Sequence, residues 1–390
     1  MQSLLLTADR ILTPLEEIPD GAMLVEDGRI AAVGPRPALR APAGAREINA
    51  RGMIAVPGFV DVHIHGAAGH DVMEATPAAL AAVAQQAARY GTTSLVATTV
   101  TASADVTSQS LTGIARYVRD QSLARQKGVP AAEILGIHLE GPFLSAARRG
   151  VHPPEWLVPP SIETLRRFLS AADGCARILT LAPELPGALE CVEAARAAGL
   201  VVALGHTDAT YAEAEAAIEK GARHAVHVFN AMRPFLHRET GVLGAALTDP
   251  RMTAEVIADG VHVDAPAIRL LLAAKGFENV LLVSDGIAAT GMPDGSYRLG
   301  NIEVTVAGGV CRNAEGRLAG STLTLDRAVR NIIALGVPLG AAVRMATLNP
   351  ARLLGLETRK GVLASGADAD IVLLDSDLRV AGVMTGGIGF

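Results

Sequence analysis

The chain has 390 residues, half of them hydrophobic and only 3% aromatic, with a formal net charge of −6 at pH 7. That length exceeds one simple core and suits a large barrel with a satellite domain, and the dispersed net-negative charge offers no basic face to nucleic acid. It does not exclude an anionic substrate, because a local Arg/His pocket can oppose the global charge.

Cys175, Cys191 and Cys311 are widely spaced and odd in number, which argues against a disulfide framework and for a reducing cytoplasm. The opening MQSLLLTADRILT lacks the basic and long apolar regions of a secretory signal. No apolar run reaches the ~18 residues of a membrane span. The expectation is a soluble, cytoplasmic protein without a membrane or nucleic-acid partner.

In chain order, residues 1–55 alternate short β-like runs with turns, as in "SLLLTADRILTP" and "GAMLVEDGRIAAVG". Residues 356–390 do the same in "KGVLASGADADIVLLDSDLRVAGVMTGG". The two ends are expected to pair into one small β-sandwich domain. Between them, over 56–355, short apolar runs alternate with Ala-rich helical stretches.

Eight candidate strands are visible: "FVDVHIH", "TSLVATT", "ILGIHLE", "RILTLAPE", "LVVALGH", "HAVHVFN", "TAEVIAD" and "NVLLVSD". Eight βα units predict a (β/α)8 TIM-like barrel with its chemistry at the C-terminal strand ends. A doubly wound sheet is the alternative, but no G-x-G-x-x-G or P-loop opens any helix.

Those runs close on His63 and His65, Glu140, Glu184, His206, His227 with Asn230, Asp259 and Asp285. A single such residue is commonly a helix cap; the series, with one strand carrying H-x-H, points to a catalytic mouth. In a strand, residues i and i+2 share a face, so His63 and His65 project together. Imidazoles and carboxylates without thiolates suit a hydrolytic Zn, Fe or Mn ion. Such an ion lowers the pKa of bound water from 15.7 to roughly 7, with Asp285 as general base.

None of the four lysines, Lys127, Lys220, Lys275 and Lys360, ends an apolar strand, so Glu140 takes the place of a carboxylated lysine as bridging ligand. His138 shares the strand face of Glu140 one layer deeper and reads as a core or supporting histidine.

"PGFVDVHIHG", "ILGIHLEGPFLSAARRGVHPP", "LGHTDATYAEAEAAIEKGARHAVHVFNAMRP", "IADGVHVD" and "LVSDGIAATGMPDGSYRLG" together resemble the N-acetylglucosamine-6-phosphate deacetylases of the amidohydrolase superfamily. The likeness runs in order across nearly the whole chain. It implies removal of acetate from N-acetyl-D-glucosamine 6-phosphate, with one or two divalent transition metal ions per subunit.

The resemblance places a metal on Glu140, His206 and His227 and makes Asp285 the catalytic acid/base. His63 and His65 then read as ligands of a second ion bridged through Glu140. His152 matches the histidine that polarises the acyl group; Asn230, Ala231, Arg238 and His262 match contacts to sugar and phosphate. Some of these contacts come from a neighbouring subunit in the family, which implies a homodimer. Two departures stand out: "RETG" at Arg238–Gly241 in place of R-E-P-G, and Gly286-Ile287 after the catalytic Asp. The rival functions are an amidohydrolase acting on another N-acyl or cyclic amide, and an inactive scaffold.

Overall fold

The computed structural model describes residues 3–121 and 128–390. Eight strands form one parallel sheet in sequence order: Phe59–Ile64, Thr92–Thr99, Glu133–Glu140, Ala176–Leu181, Val201–Leu204, His224–Ala225, Thr253–Val256 and Val280–Leu282. Five fall within the expected apolar runs, and those starting at Thr92, Glu133 and Ala176 begin one residue earlier than expected. The first and eighth strands meet where Ile64 bridges Gly286 in parallel and the Asp285 N–H donates to the His63 carbonyl at 2.9 Å. The sheet therefore closes into the (β/α)8 barrel.

Phe59–Ile64 and Thr92–Thr99 are buried at every position, as strands covered on both faces must be. A helix follows each strand: Pro77–Arg89, Ala104–Arg119, Ile162–Ala172, Ala188–Ala197, Tyr211–Lys220, Gly241–Thr248, Ala265–Lys275 and Leu325–Ala334. Several start where a side chain satisfies a free helical N–H: Thr76, Ser103, Ser161 and Thr210 each accept from the backbone three residues on. These caps stop the helices from running back into the strand ends, so the βα loops stay free to build a site.

The two ends of the chain pair with each other. Ile371–Leu374 runs antiparallel to Arg46–Pro57, inside a seven-stranded sheet that also holds Ser3–Leu12, Glu17–Glu26, Arg29–Pro35, Val380–Thr385 and Ile388–Gly389. Leu6, Ile11, Met23, Ile30, Ile371 and Met384 form a core of its own. At the seam with the barrel, the buried Lys360 ammonium lies 2.7 Å from Asp370, 2.8 Å from Glu133 and 2.9 Å from Asp368.

One element lies outside the sequence-based expectations. Gly295–Leu299, Ile302–Ala307 and Val310–Asn313 form a three-stranded antiparallel sheet after the eighth barrel strand. Val304, Val306 and Cys311 pack with Val100, Val151 and Ile287, which fixes this sheet over the barrel mouth.

Candidate active site

His63 is the penultimate residue of the first barrel strand and His65 directly follows its end, with 0% and 3% exposure. Each ring is held through Nδ1–H, His63 by Glu255 Oε2 at 2.9 Å and His65 by the Thr98 carbonyl at 3.0 Å. Carboxylate and carbonyl oxygens only accept, so Nδ1 carries a proton on both rings and Nε2 is the nitrogen left facing Glu140 and Asp285. Glu140, the last residue of the third strand, stands opposite, with Oε1 3.4 Å from His63 Nε2 and Oε2 3.3 Å from His65 Nε2.

The same carboxylate reaches the second pair. Its Oε1 is 3.0 Å from His227 Nε2 and 3.3 Å from His206 Nε2, and those two nitrogens are 3.1 Å apart. His206 donates Nδ1–H to the Arg148 carbonyl at 3.0 Å. Asp285 Oδ1 lies 3.2 Å from His65 Nε2 and 3.7 Å from His63 Nε2. His206, His227 and Asp285 have φ of +48°, +27° and +49°. Each such left-handed residue costs on the order of 1–3 kcal/mol, a strain that collects at functional sites.

The donor set fits a divalent metal. His63 Nε2 is fully buried without a hydrogen-bond partner among the described residues, as expected of a lone pair awaiting a cation. Ligating atoms of His63, Glu140 and His227, of His63, His65 and Asp285, and of Glu140, His152 and His206 lie within 4.8 Å of one another in each group. Burial alone would raise the pKa of Glu140, yet His63 and the other histidines hold it well below the usual carboxylate range. Burial opposes charge on His65, but Asp285 and Glu140 lift it to about 9. The surroundings thus favour positive charge, whether proton or metal.

His152 takes a different position. It is buried, and its Nδ1 accepts from the Thr101 backbone N–H at 3.3 Å and lies 2.8 Å from Thr101 Oγ1. The proton is therefore on Nε2, which faces Glu140 Oε2 at 3.7 Å. Burial, then the charge of His206, keeps the ring neutral. A neutral ring with its N–H toward the cavity is a hydrogen-bond donor rather than a metal ligand. Gly141 leaves room for this arrangement: its φ is +90° and a Cβ there would sit 2.1 Å from Thr101 Oγ1.

His65, Glu140, His152, His206, His227 and Asp285 line a cavity of about 250 Å³ together with Asn230, Ala231, His262 and Arg317. Asn230 donates its amide to the His227 carbonyl at 3.2 Å, and His262 is held by Asp259 Oδ2 at 2.7 Å. Arg238 is not on this wall; it is exposed on the loop that also exposes Phe235 and Leu236. A larger groove of about 800 Å³ runs past Asp71, Tyr297 and Arg298, but the ligating clusters among the described residues all lie at the smaller cavity.

Two strand-end carboxylates serve locally. Glu184 accepts from Thr207 Oγ1 and the Asp208 N–H, and Asp259 holds the His262 turn. His138 donates Nδ1–H to the Val62 carbonyl at 3.2 Å and its Nε2 lies 2.7 Å from Thr180 Oγ1 in the barrel interior, where burial and then the charge of His63 push its pKa down to about 3. Lys220, Lys275 and Lys360 bond elsewhere, and Lys127 lies outside the described residues.

Sequence reasoning missed Glu255, His224, Thr101 and Arg317. The available signal for Glu255 was a carboxylate inside the apolar run "TAEVIAD", where a charge is costly unless paired.

The sequence profile of the amidohydrolase family matches residues 54–388, and a short match to an imidazolonepropionase-like composite domain of bacteria covers 21–41. The chain is 40% identical to the N-acetylgalactosamine-6-phosphate deacetylase of Escherichia coli O157:H7, over 96% of each chain. It is 37% identical to the N-acetylglucosamine-6-phosphate deacetylase of Bacillus subtilis, covering 97% of this chain and 95% of that one. A mutant N-acetyl-D-glucosamine-6-phosphate deacetylase from Mycobacterium smegmatis, solved with N-acetyl-D-glucosamine-6-phosphate, superposes with a TM-score of 0.92 at 41% identity. It covers 100% of this chain and 99% of that one. The profile spans the barrel and the relatives match at full length: the chain belongs to the amidohydrolase family.

Proposed function

We propose that this protein hydrolyses the acetamide of N-acetyl-D-glucosamine 6-phosphate, releasing acetate and D-glucosamine 6-phosphate. The observation that carries the reading is Glu140 set between two histidine pairs, with Asp285 beside one pair and the His152 N–H facing the same space. The names of the full-length relatives support the substrate class.

Glu140, His206 and His227 would hold a divalent transition metal, which when bound would supply Lewis-acid polarisation and acidify water. His63 and His65, together with Glu140, would hold a second ion. Asp285 Oδ1 takes the proton from the attacking water as the new C–O bond forms. His152 Nε2–H donates to the acyl oxygen as negative charge grows there. The C–N bond then breaks, and Asp285 returns the proton to the departing amine.

Asn230, Ala231 and His262 hold the sugar along the cavity wall. Arg317 lies at the rim, with Nη1 donating to the Gly150 carbonyl at 2.8 Å, and presents its remaining N–H groups to the phosphate. Arg238 serves the cavity of a second copy of the chain in a homodimer; its exposure beside Phe235 and Leu236 supports that reading. Among the described residues no helix is long and apolar enough to cross a membrane, and we place the enzyme in the cytoplasm.

The E. coli relative is named for the galacto sugar, so the test carries both epimers. Acetate release is measured on both N-acetylhexosamine 6-phosphates and on unphosphorylated N-acetylglucosamine, for wild type and Asp285→Asn. The reading requires turnover of the gluco phosphosugar that Asp285→Asn lowers by at least about 10²-fold. Equal rates for the two proteins, or a preference for the unphosphorylated sugar, would contradict it.

A further inference from the structure

Glu255 lies in the seventh barrel strand, fully buried, yet it touches neither the cavity nor solvent. Its Oε2 accepts twice, from His63 Nδ1–H at 2.9 Å and from the backbone N–H of His227 at 3.1 Å. Its Oε1 lies 2.9 Å from His224 Nε2, whose other nitrogen is 2.7 Å from Thr253 Oγ1. The backbone carbonyl of Glu255 also accepts from the Val228 N–H at 2.9 Å. With both oxygens engaged on the inner side of the histidines, Glu255 is not itself a ligand.

One oxygen thus acts on two ligand positions. By binding Nδ1–H it commits His63 to the tautomer whose lone pair is on Nε2, the buried atom left without a hydrogen-bond partner. By binding the His227 N–H it pins a backbone held at φ +27°, which an unsupported residue would leave. We propose that Glu255 is a positioning residue that sets the tautomer of His63 and the backbone of His227, and so governs how tightly the His63/His65 position holds its ion. This rests on the reading that His63 and His65 bind a second metal ion.

Two variants separate the acceptor from the charge. In Glu255→Gln the amide oxygen can keep both bonds of Oε2. The amide NH2 then meets His224 Nε2, provided His224 moves its proton to Nδ1 and donates to Thr253 Oγ1. Glu255→Leu keeps the approximate volume and removes the acceptor. The experiment titrates Zn²⁺ into metal-stripped full-length wild type and both variants by calorimetry, with elemental analysis of the ions retained.

Loss of a hydrogen bond behind a metal-bound histidine costs about 10–100-fold in affinity. Glu255→Leu is therefore expected to weaken one of two sites by that factor, and Glu255→Gln to stay within about threefold of wild type. Because Glu255→Leu risks misfolding, a second readout uses wild type alone. Nitrogen-15 NMR of Zn²⁺-loaded, histidine-labelled wild type, assigned by the signal lost in His63→Asn, should show the His63 proton on Nδ1 and none on Nε2.

A His63 protonated at Nε2, or two sites of wild-type affinity in folded Glu255→Leu, overturns this inference alone. A wild type that binds a single ion at saturating Zn²⁺ overturns the two-ion reading and the inference with it.

Discussion

Replacing His152 by phenylalanine separates two roles the histidine clusters allow. Its nitrogen groups with Glu140 and His206 as a third ligand set, whereas the Thr101 N–H on Nδ1 makes Nε2 a proton donor. The donor reading has a defined size. His152 is 3% exposed and turns one N–H toward the cavity. Removing one such donor from an oxyanion site costs about 10²–10³ in kcat, roughly 2.7–4 kcal/mol.

His152→Phe should therefore lower kcat by that factor while KM and metal content stay near wild type. His152→Gln, whose amide N–H reaches about as far as Nε2, should recover part of the loss. Acetate release under saturating substrate gives kcat, and elemental analysis gives the metal. A kcat within about fivefold of wild type, or loss of metal along with activity, refutes the tautomer argument.

Removing His63 and His65 together should release one ion and lower activity, yet leave a metal on Glu140, His206 and His227; elemental analysis showing both ions lost, or both kept, contradicts this. Arg317→Ala should raise KM for the phosphosugar about tenfold, near 1.4 kcal/mol, with kcat little changed, and steady-state kinetics on phosphorylated and free sugar decide it. Lys360→Met leaves Glu133, Asp368 and Asp370 without their buried cation, a loss of about 3–5 kcal/mol, visible as a fall in Tm. Burial pushes Glu133 up, but Lys360 and then Arg359 hold it below its ordinary value of 4.5. A depressed carboxylate stabilises the fold above its unfolded pKa and loses that contribution as pH falls through the folded one. The Tm gap between wild type and Glu133→Gln should be full at neutral pH and close as pH drops below about 4.5; a gap independent of pH counts against the ion cluster.

The eight barrel strands were legible because parallel strands buried on both faces read as short apolar runs, and because each mouth-facing end is polar. H-x-H and the Glu closing "ILGIHLE" were legible for the same reason. Strand ends alone do not separate function from local support: Glu184 and Asp259 end their runs as His206 does, but they hold turns. Glu255 was hidden by its place within a run, since its partners His63 and His224 lie 192 and 31 residues away.

The sheet of residues 295–313 was missed although Ile302–Ala307 alternates buried and exposed positions, the period of a half-buried strand. It carries the chain on to Arg317, so the cation at the cavity rim was hidden with it. Arg238 shows the converse: the motif marks the residue, but the structure puts it on an exposed loop away from the cavity wall.

The most direct test of the whole account pairs metal content with turnover on one preparation. Metal-stripped protein is titrated with Zn²⁺, Mn²⁺ or Fe²⁺ while acetate release from N-acetyl-D-glucosamine 6-phosphate is followed. The account predicts no release without metal and activity that rises with the ion bound at Glu140, His206 and His227. Full activity in the stripped protein, or none in the fully loaded one, would contradict it.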